Sequence, residues 1–302
     1  MSEKTKVVAV SGASGMIGGA LCQHLSERGW KVAPMVRSEG REGIFWSAQE
    51  GRIDKEALSK VDAVVHLAGE NLTEKRWTEE QKRRILESRV QGTNLIAGAM
   101  AEMEEGPKVL VSASAVGYYG ARGDEVLDEE SDPGTGFLAE VCRKWEEAAE
   151  PAREAGIRVV HPRIGIVLSR QGGALGKMML PFKLGIGGKL GSGDQYFSWV
   201  TLQDTVRAIR FLLEHEEMEG PVNLSAPEPV TNQEFTKALG KALGRPTVLP
   251  VPGFALKTLM GKELAEEALL EGQRVRPARL LEAGFEFRAP TVAEGLEQEL
   301  NR

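Results

Sequence analysis

The sequence predicts an α/β protein, with a doubly wound parallel sheet and a small, mostly helical C-terminal lobe. Short apolar runs such as Val7–Val10 alternate with longer segments of helical periodicity, a pattern typical of parallel strands buried on both faces. From Pro227 onward the alternation stops, and helical segments are separated by prolines at positions 246, 250, 252 and 277. The first pattern predicts the sheet, and the second predicts the lobe.

The first strand, Val7–Val10, runs into a glycine turn and then into a helix that ends near Gly29. The glycines have three-residue spacing, and such a turn lets backbone N–H groups approach a pyrophosphate at the positive end of a helix dipole. This pattern predicts a Rossmann-like dinucleotide-binding domain; the alternative is a glycine-rich turn that binds nothing. The expected cofactor contacts are Gly12, Ser14, Gly15, Met16, Ile17 and Gly18.

The second strand, Lys31–Val36, ends at Arg37 and Ser38. The residue about 20 positions beyond the glycines contacts the adenosine ribose in this kind of domain. An acidic residue there accepts hydrogen bonds from a free 2′-OH, whereas an arginine pairs with a 2′-phosphate. Arg37 and Ser38 therefore favour NADP(H) over NAD(H). The alternative for Arg37 is a solvated side chain at a strand end.

The remaining elements alternate as the fold class requires. A capping-box sequence, Thr78–Gln81, opens a long helix, and Asp204 is a candidate cap for a later one. A second capping box begins at Thr231. The predicted strands are Ile44–Trp46, Val61–Gly69, Lys108–Ser112, Ile157–Pro162 continuing to Leu168, and Pro221–Ser225; the predicted helices are Thr78–Met103, Phe137–Ala155 and Asp204–Glu219.

The order of these elements predicts two units. Residues 1–170 form an NADP-binding domain to which residues 200–226 return, and residues 171–199 and 227–302 form a substrate-binding lobe. The stretch 171–195 is rich in glycine and carries Lys177, Lys183 and Lys189. That composition favours a mobile segment that folds over a bound ligand. A disordered surface loop is the alternative.

The composition of the 302-residue chain limits the kinds of binding partner that we expect. Its net charge of −6 argues against nucleic acid or an anionic membrane as the main partner. Two cysteines, a polar N-terminus and the lack of an apolar run of 18 residues favour the cytoplasm. The four histidines are far apart, so we expect no metal site. A small-molecule substrate is the expected partner, and the chain is a monomer or a homodimer.

Several short motifs follow one another along the chain. They are Leu67–Asn71, Arg76-Trp77, Ser88-Arg89, Ser114–Gly120, Trp145-Glu146 and Gly191–Trp199. With the glycine turn and His161-Pro162-Arg163, this order resembles the extended short-chain dehydrogenases/reductases, and most closely their atypical branch of epimerase family proteins, which end in a domain of unknown function. The resemblance implies a Rossmann-like NADP-binding protein and further cofactor contacts at Leu67, Ala68, Gly69, Glu70, Arg89, Ser112, Pro162 and Arg163.

The catalytic pair of that superfamily, Tyr-x-x-x-Lys, is absent. Tyr118, Tyr119 and Tyr196 are followed four residues later by Arg122, Gly123 and Val200. In the standard pair, the lysine and the cofactor charge lower the pKa of the phenol so that it can move a proton. Any chemistry in this chain therefore needs another proton carrier.

Two residues are candidates for catalysis. Ser114 falls where the superfamily has a serine that hydrogen-bonds a substrate oxygen, and Tyr118 can supply a phenol from the neighbouring loop. Structural roles are the alternatives for both. Glu140 and Glu146 are candidate bases only if their helix turns them inward. Cys142 is interpreted as a small buried hydrophobe, since no histidine is near it in sequence.

The residues expected to bind the substrate differ from those of sugar-nucleotide epimerases. Those enzymes hold the diphosphate with an arginine where this chain has Phe197, and an apolar ring cannot replace such a clamp. Lys177, Lys183 or Arg163 are candidates to compensate. The sequence thus predicts an NADP(H)-dependent oxidoreductase or epimerase acting on a small, unidentified substrate. The alternative is a non-catalytic NADP(H)-binding protein with a regulatory or scaffold role.

Overall fold

A computed structural model describes residues 5–301 of the chain. Up to residue 147 its elements are β1 (Val7–Ser11), α1 (Met16–Ser26), β2 (Lys31–Val36), β3 (Ile44–Ser47), β4 (Arg52–Ile53), α2 (Lys55–Leu58), β5 (Ala63–His66), α3 (Glu79–Ala101), β6 (Val109–Ser112), β7 (Ser114–Ala115), β8 (Val126–Leu127) and α4 (Phe137–Glu147). A 3₁₀ turn, Val116–Tyr119, follows β7.

The second half of the chain adds more helix than strand. Its elements are α5 (Glu150–Glu154), β9 (Arg158–Ile164), β10 (Ile166–Ser169), α6 (Gly173–Lys183), β11 (Tyr196–Phe197), β12 (Trp199–Thr201), α7 (Leu202–Glu214), β13 (Gly220–Leu224), β14 (Val230–Thr231), α8 (Asn232–Leu243), α9 (Gly253–Met260), α10 (Lys262–Ala265), β15 (Arg274–Val275), α11 (Ala278–Glu282) and α12 (Val292–Leu300). A π-helical turn, Glu266–Leu270, follows α10.

The central sheet has the order β13-β9-β6-β5-β1-β2-β3-β4, with β7 also pairing with β9. Its pairs are parallel except for β3 with β4. The chain leaves β1 toward β2 on one side and later returns to place β5 on the other, so the order reverses between β1 and β5. The predicted doubly wound α/β fold is confirmed, and ligands bind such sheets at this reversal, beyond the carboxyl ends of the strands.

Both faces of the sheet are buried, which explains its near-continuous apolar strands. On one face, Val8 and Val10 pack against α1, α7 and α11. On the other face, Ala9, Val64 and Leu110 pack against α2, α3 and α5. Each fully buried aliphatic side chain contributes about 1.5–3 kcal/mol to the free energy of unfolding. The two layers therefore stabilise the sheet edge that carries the site.

The C-terminal lobe has its own core, in which Trp199, Phe235 and Leu296 are fully buried. The predicted capping box at Thr231 is present, because the Thr231 and Glu234 side chains cap each other's backbone N–H groups. Among residues 5–301, no helix is both long and apolar enough to cross a bilayer.

Several element boundaries differ from the prediction. The helix expected over 137–155 breaks after Glu147, and a second helix starts at Glu150 with Pro151 in its first turn, where a missing N–H costs nothing. Thr201, not Asp204, caps α7. Asp204 is instead buried, and its carboxylate accepts N–H groups from Arg288 and Ala289.

Two further differences concern the start of α3 and the glycine-rich stretch. Thr78 caps α3 as expected, but the Gln81 side chain donates to Glu70 rather than back to the cap, so only half of the predicted capping box forms. The glycine-rich stretch contains an 11-residue helix, α6. Its first residues lie against α1, because a Cβ at Gly173 would be 3.3 Å from the Met16 methyl carbon.

Candidate functional site

The glycine turn after β1 requires residues without side chains. Gly12 has a φ of +69°, and a Cβ there would lie 3.1 Å from the backbone nitrogen of Ala68. A Cβ at Gly18 would lie 2.1 Å from the Gly12 carbonyl oxygen, so the helix can start this close to the turn only with glycine. The ends of β1 and β5 therefore meet at the point where the strand order reverses.

The N-terminus of α1 is open at this turn. Gly15 is its N-cap residue, and no side chain within residues 5–301 caps the helix. Ser14 and Gly15 are exposed, and Met16 and Ile17 follow in the first turn. The structure thus brings the predicted glycine-turn residues together around exposed N–H groups, a cradle that fits a pyrophosphate.

Ser11 and His66 join β1 to β5 beneath the cradle. The Ser11 hydroxyl accepts N–H groups from Leu67 and Ala68, at 3.1 and 3.3 Å, and lies 2.6 Å from His66 Nδ1. Its proton is therefore available to donate to that nitrogen. Burial lowers the pKa of His66 to about 4, so the ring is neutral and suits this role as acceptor. Leu67 and Ala68 are held beside Gly12, as the sequence predicts for cofactor contacts.

Arg89 projects from α3 toward the same turn. A Cβ at Gly69 would lie 3.1 Å from the Arg89 guanidinium carbon, and Arg89 Nη1 donates to the carbonyl oxygens of Glu70 and Ile85. Burial lowers the pKa of Arg89. The predicted group Gly69, Glu70 and Arg89 is therefore assembled, with Arg89 supporting the backbone that follows β5.

Arg37 and Ser38 are exposed at the end of β2. The Arg37 side chain makes no hydrogen bond or ion pair with another residue in 5–301, so its guanidinium is available to an anion. A cavity of about 810 Å³ lies beside Ser38 and extends along Phe45 and Asn94. This placement is consistent with the predicted 2′-phosphate contact, and a purely solvated Arg37 remains the alternative.

The structure buries two predicted cofactor contacts, Ser112 and Pro162. Ser112 is the last residue of β6 and alternates with Val111 onto the face covered by α3. Pro162 lies inside β9, where it pairs with Val222 of β13. Contact between either residue and a cofactor stays a prediction.

Ser114 belongs to a buried polar network rather than to an open site. Its side chain is 2% exposed, and its hydroxyl donates to Glu146 Oε1 at 2.6 Å. Arg163 donates to both Glu146 oxygens, from Nε and Nη2, each at 2.9 Å. The predicted role of Ser114 as a donor to substrate therefore has no geometric support, since its proton is used inside the protein.

Arg163 of the same network contacts the two adjacent tyrosines, Tyr118 and Tyr119. Tyr119 is fully buried, donates to Asn223 at 2.7 Å and accepts from Arg163 Nη1 at 2.9 Å; burial raises its pKa to about 12. Tyr118 is half-buried, and its ring centre lies 3.5 Å from the Arg163 guanidinium carbon. Burial is the main cause that raises the pKa of Tyr118, so its phenol stays protonated at neutral pH.

Arg163 is also corrected as a cofactor contact or a substrate clamp. Its three nitrogens are bonded to Glu146 and Tyr119, and its side chain is 3% exposed. Lys177, a second candidate clamp, donates to Thr73. The Phe197 ring packs at a tilt against Phe235 in the lobe core, with the ring centres 4.3 Å apart. The arginine that holds a sugar nucleotide therefore has no replacement at position 197.

The remaining candidate residues, Glu140, Glu146 and Cys142, all lie on α4. Glu146 faces inward, whereas Glu140 pairs with Lys144 at the surface. Cys142 is buried, and burial raises the pKa of its thiol to about 11, which agrees with its interpretation as a small hydrophobe. Glu267 caps α4 from the lobe, because its carboxylate accepts the N–H groups of Phe137 and Leu138 at 2.9 and 2.8 Å.

Sequence reasoning missed three residues of the site. Ser11 and His66 end apolar strands, and Asn223 lies between Val222 and Leu224 in an apolar strand. A polar residue at the end of or within a buried strand is the signal that could have found them, because buried polar groups need partners.

A glycine cradle at the reversal point of a doubly wound sheet defines a nucleotide-binding protein of the short-chain dehydrogenase/reductase type. The profile of the NAD dependent epimerase/dehydratase family matches residues 8–225, so the chain belongs to that family. Residues 251–299 match a domain of unknown function, DUF1731. The predicted resemblance is confirmed.

The chain is similar along its whole length to proteins named as epimerase family proteins. It is 44% identical to ML0860 of Mycobacterium leprae over 303 residues, which covers 100% of this chain and 98% of that protein. It is 37% identical to human SDR39U1, covering 96% of this chain and 98% of the human protein.

Solved structures of related proteins share the fold of this chain. The crystal structure of human SDR39U1 (isoform 2) with NADPH has a TM-score of 0.89 at 36% identity and covers 98% of this chain and 99% of that one. Thermus thermophilus UDP-glucose 4-epimerase in complex with NAD has a TM-score of 0.75, covering 98% of both chains, at 20% identity, which shows the shared fold alone. The chain therefore has an NAD(P)-binding epimerase-family fold.

Proposed function

We propose that this protein is an NADP(H)-dependent oxidoreductase that acts on a small carbonyl substrate. The observation that carries the proposal is the exposed Arg37 at the end of β2, which has no partner within residues 5–301, together with the open N–H groups on α1. A 2′-phosphate is the anion that distinguishes NADP(H) from NAD(H), and an arginine at this position suits it. The NADPH in the human relative's structure supports the same choice.

Tyr118 is the proton carrier in this proposal. Of the three tyrosines, Tyr119 is buried with its hydroxyl bonded twice, and Tyr196 lies on β11 under Arg274. Tyr118 is half-buried in the turn that follows β7, at the carboxyl edge of the sheet. Ser114 acts as a positioning residue, since its hydroxyl holds Glu146, which in turn holds Arg163 against the Tyr118 ring.

Tyr118 suits the proton-donating step of a reduction. When bound, a reduced nicotinamide supplies hydride to a carbonyl carbon, and the carbonyl oxygen must then take a proton. Burial raises the pKa of Tyr118, so its phenol holds a proton at neutral pH. The phenol is therefore in the protonation state that a carbonyl reduction needs.

Steady-state kinetics with carbonyl compounds tests the proposal. Loss of NADPH absorbance is measured with a panel of aldehydes and ketones, and NADPH affinity is measured separately by calorimetry. Tyr118→Phe should abolish turnover while leaving NADPH affinity unchanged; Tyr196→Phe is the matched control and should retain both. Turnover that survives Tyr118→Phe removes Tyr118 from the reaction, and NADPH binding without turnover on any compound favours the second function.

The second candidate is a non-catalytic NADP(H)-binding protein that regulates or supports an assembly. The closed network favours it, because Ser114, Tyr119 and Arg163 bond to one another or to Glu146. In that case NADPH binds tightly and changes the affinity for a partner without being oxidised. Turnover with any substrate excludes the purely non-catalytic version.

A cytoplasmic location and a monomeric or homodimeric state belong to the same proposal. The two free cysteines, Cys22 and Cys142, suit a reducing compartment. A nucleotide sugar is a weak substrate candidate, because position 197 carries a phenylalanine that packs in the lobe core.

A further inference from the structure

Seven large apolar side chains of the lobe are exposed to solvent on two segments. Leu180, Leu184 and Ile186 lie on α6 or directly after it, and a second group lies on α9 or just before it: Val248, Leu249, Phe254 and Leu259. Their exposed fractions run from 53% to 78%. Within residues 5–301, Val126 is the one other large hydrophobic exposed to this degree. We call these seven residues the apolar patch.

The two segments are neighbours in the fold. Leu190 and Val251 form a β-bridge, and the Val251 N–H donates to the Lys189 carbonyl at 2.8 Å. Both helices also border the loop that follows β5: α6 through Lys177, which donates to Thr73, and α9 through the carbonyls that Arg76 binds. The two groups of the apolar patch therefore lie on neighbouring segments beside the loop that follows β5.

The two stretches of chain that carry the apolar patch are basic. Residues 170–193 and 235–262 contain nine Lys and Arg residues and no Asp or Glu. The whole chain has 38 basic and 44 acidic residues, so without these nine the balance is −15. The net charge of −6 is therefore unevenly distributed along the chain, and a binding partner near the patch meets the local charge.

Acidic residues flank both stretches: Asp194 and Glu234 lie directly next to them in the chain, and Glu263, Glu266 and Glu267 follow the second stretch. Glu263 pairs with Lys82 at 2.9 Å, and Glu267 caps α4. Only Glu266 pairs with a cation of the two segments in the described chain, Lys257, at 2.7 Å.

The composition of the two segments distinguishes a lipid surface from a protein partner. Protein interfaces are enriched in Trp, Tyr and Arg and depleted in Lys. These segments contain seven Lys, two Arg and no Trp or Tyr. Leucine, isoleucine and phenylalanine side chains among flexible lysines are typical of helices that lie in the interface of an anionic bilayer.

We propose that the apolar patch docks on the surface of an anionic lipid bilayer, with α6 and α9 placing apolar side chains between the lipids and lysines on the phosphates. Docking in this orientation brings the loop 73–76, which follows β5, to the membrane. The proposal runs against the expectation from net charge that a membrane is not a partner. It does not depend on the reaction.

Vesicle flotation with the full chain tests the proposal. The protein should float with vesicles of phosphatidylcholine and phosphatidylglycerol, and much less with phosphatidylcholine alone. Phe254→Ser should lower the partition coefficient, and Lys183→Gln should lower it about fivefold. Val126→Ser and Lys31→Gln change an exposed apolar and an exposed basic residue elsewhere and should leave it unchanged. NADPH affinity, measured on every variant, reports that the fold is intact.

Three outcomes overturn the proposal. They are no flotation with anionic vesicles, equal flotation with neutral and anionic vesicles, and equal losses for Val126→Ser and Phe254→Ser. Light scattering on the same samples tests whether the apolar patch instead binds a second copy of this chain. If Phe254→Ser changes the mass of the free protein while flotation stays the same, the patch is a contact between copies of this chain. None of these outcomes bears on NADPH binding or turnover.

Discussion

Glu146 and Arg163 form a two-pronged ion pair in the interior, with both N–O distances at 2.9 Å. The pair links α4 to β9 behind the carboxyl edge of the sheet, and it orders the two tyrosines that follow β7. Glu146 on α4 thus has a structural partner, and the groups around it form a closed network of charge and hydroxyl groups.

Removing one charge of this pair should be costly. Glu146→Gln leaves Arg163 buried without its counter-charge, and we expect a loss of about 3 kcal/mol in the free energy of unfolding, measured by urea denaturation. Glu147→Gln is the matched control: its carboxylate pairs with Arg143 at the surface, and it should cost less than about 0.5 kcal/mol. Equal losses in the two variants would contradict the buried pair.

The glycine turn gives a second prediction with a control in the same helix. A Cβ at Gly18 would lie 2.1 Å from the Gly12 carbonyl oxygen, whereas a Cβ at Gly19 meets nothing closer than 3.4 Å. Gly18→Ala should therefore open the turn and raise the Kd for NADPH about tenfold or more, which is about 1.4 kcal/mol. Gly19→Ala should leave the Kd unchanged and stabilise the helix slightly. Calorimetric titration checks both, and similar Kd values for the two variants would argue against the cradle.

Cofactor choice should depend on Arg37. Arg37→Gln is expected to weaken NADPH binding by about 1.5–3 kcal/mol, roughly 10- to 150-fold, and to leave NADH binding nearly unchanged. Arg28→Gln removes an exposed arginine that follows α1 and lies outside the cavity beside Ser38, and it serves as the control. If NADPH and NADH lose affinity equally in Arg37→Gln, the guanidinium does not contact a 2′-phosphate.

Two buried histidines should make the protein acid-sensitive. Burial lowers the pKa of both His66 and His161 to about 4, below the unfolded value of about 6.5. Both rings are neutral in the fold, so their contribution to stability is complete above pH ~6.5 and is lost as the pH falls toward 4. Each histidine accounts for about 3 kcal/mol at the acid end. Urea denaturation at several pH values between 7 and 5 should show the decline, and His161→Leu should make it shallower; an unchanged slope would contradict the assignment.

The order of strands and helices, the glycine turn and the residues beside it could be predicted from the sequence. These features rest on local signals: apolar runs, the spacing of glycines, and capping residues. Where local signals compete, the prediction failed. Thr201 and Asp204 are both good capping residues, and Asp204 is used elsewhere because Arg288 and Ala289 bring two N–H groups to it.

Side-chain direction at strand ends could not be predicted. Ser112 and Pro162 were expected to contact the cofactor, but Ser112 falls on a covered face at the end of β6 and Pro162 lies within β9. Successive residues of a strand point to opposite faces, so a small error in where a strand ends changes which side chains meet the ligand. The inward turn of Glu146 likewise depends on how α4 packs, which its own sequence does not determine.

Glu267 caps α4 from a part of the chain that lies outside the epimerase profile, which ends at residue 225, and inside the region matched to the unknown domain. The border between the two profiles is therefore not a border in the structure. A polypeptide shortened to its first 225 residues would leave the start of α4 without its carboxylate, and with it the support for the helix that holds Glu146. We expect such a fragment to be less stable than the full chain.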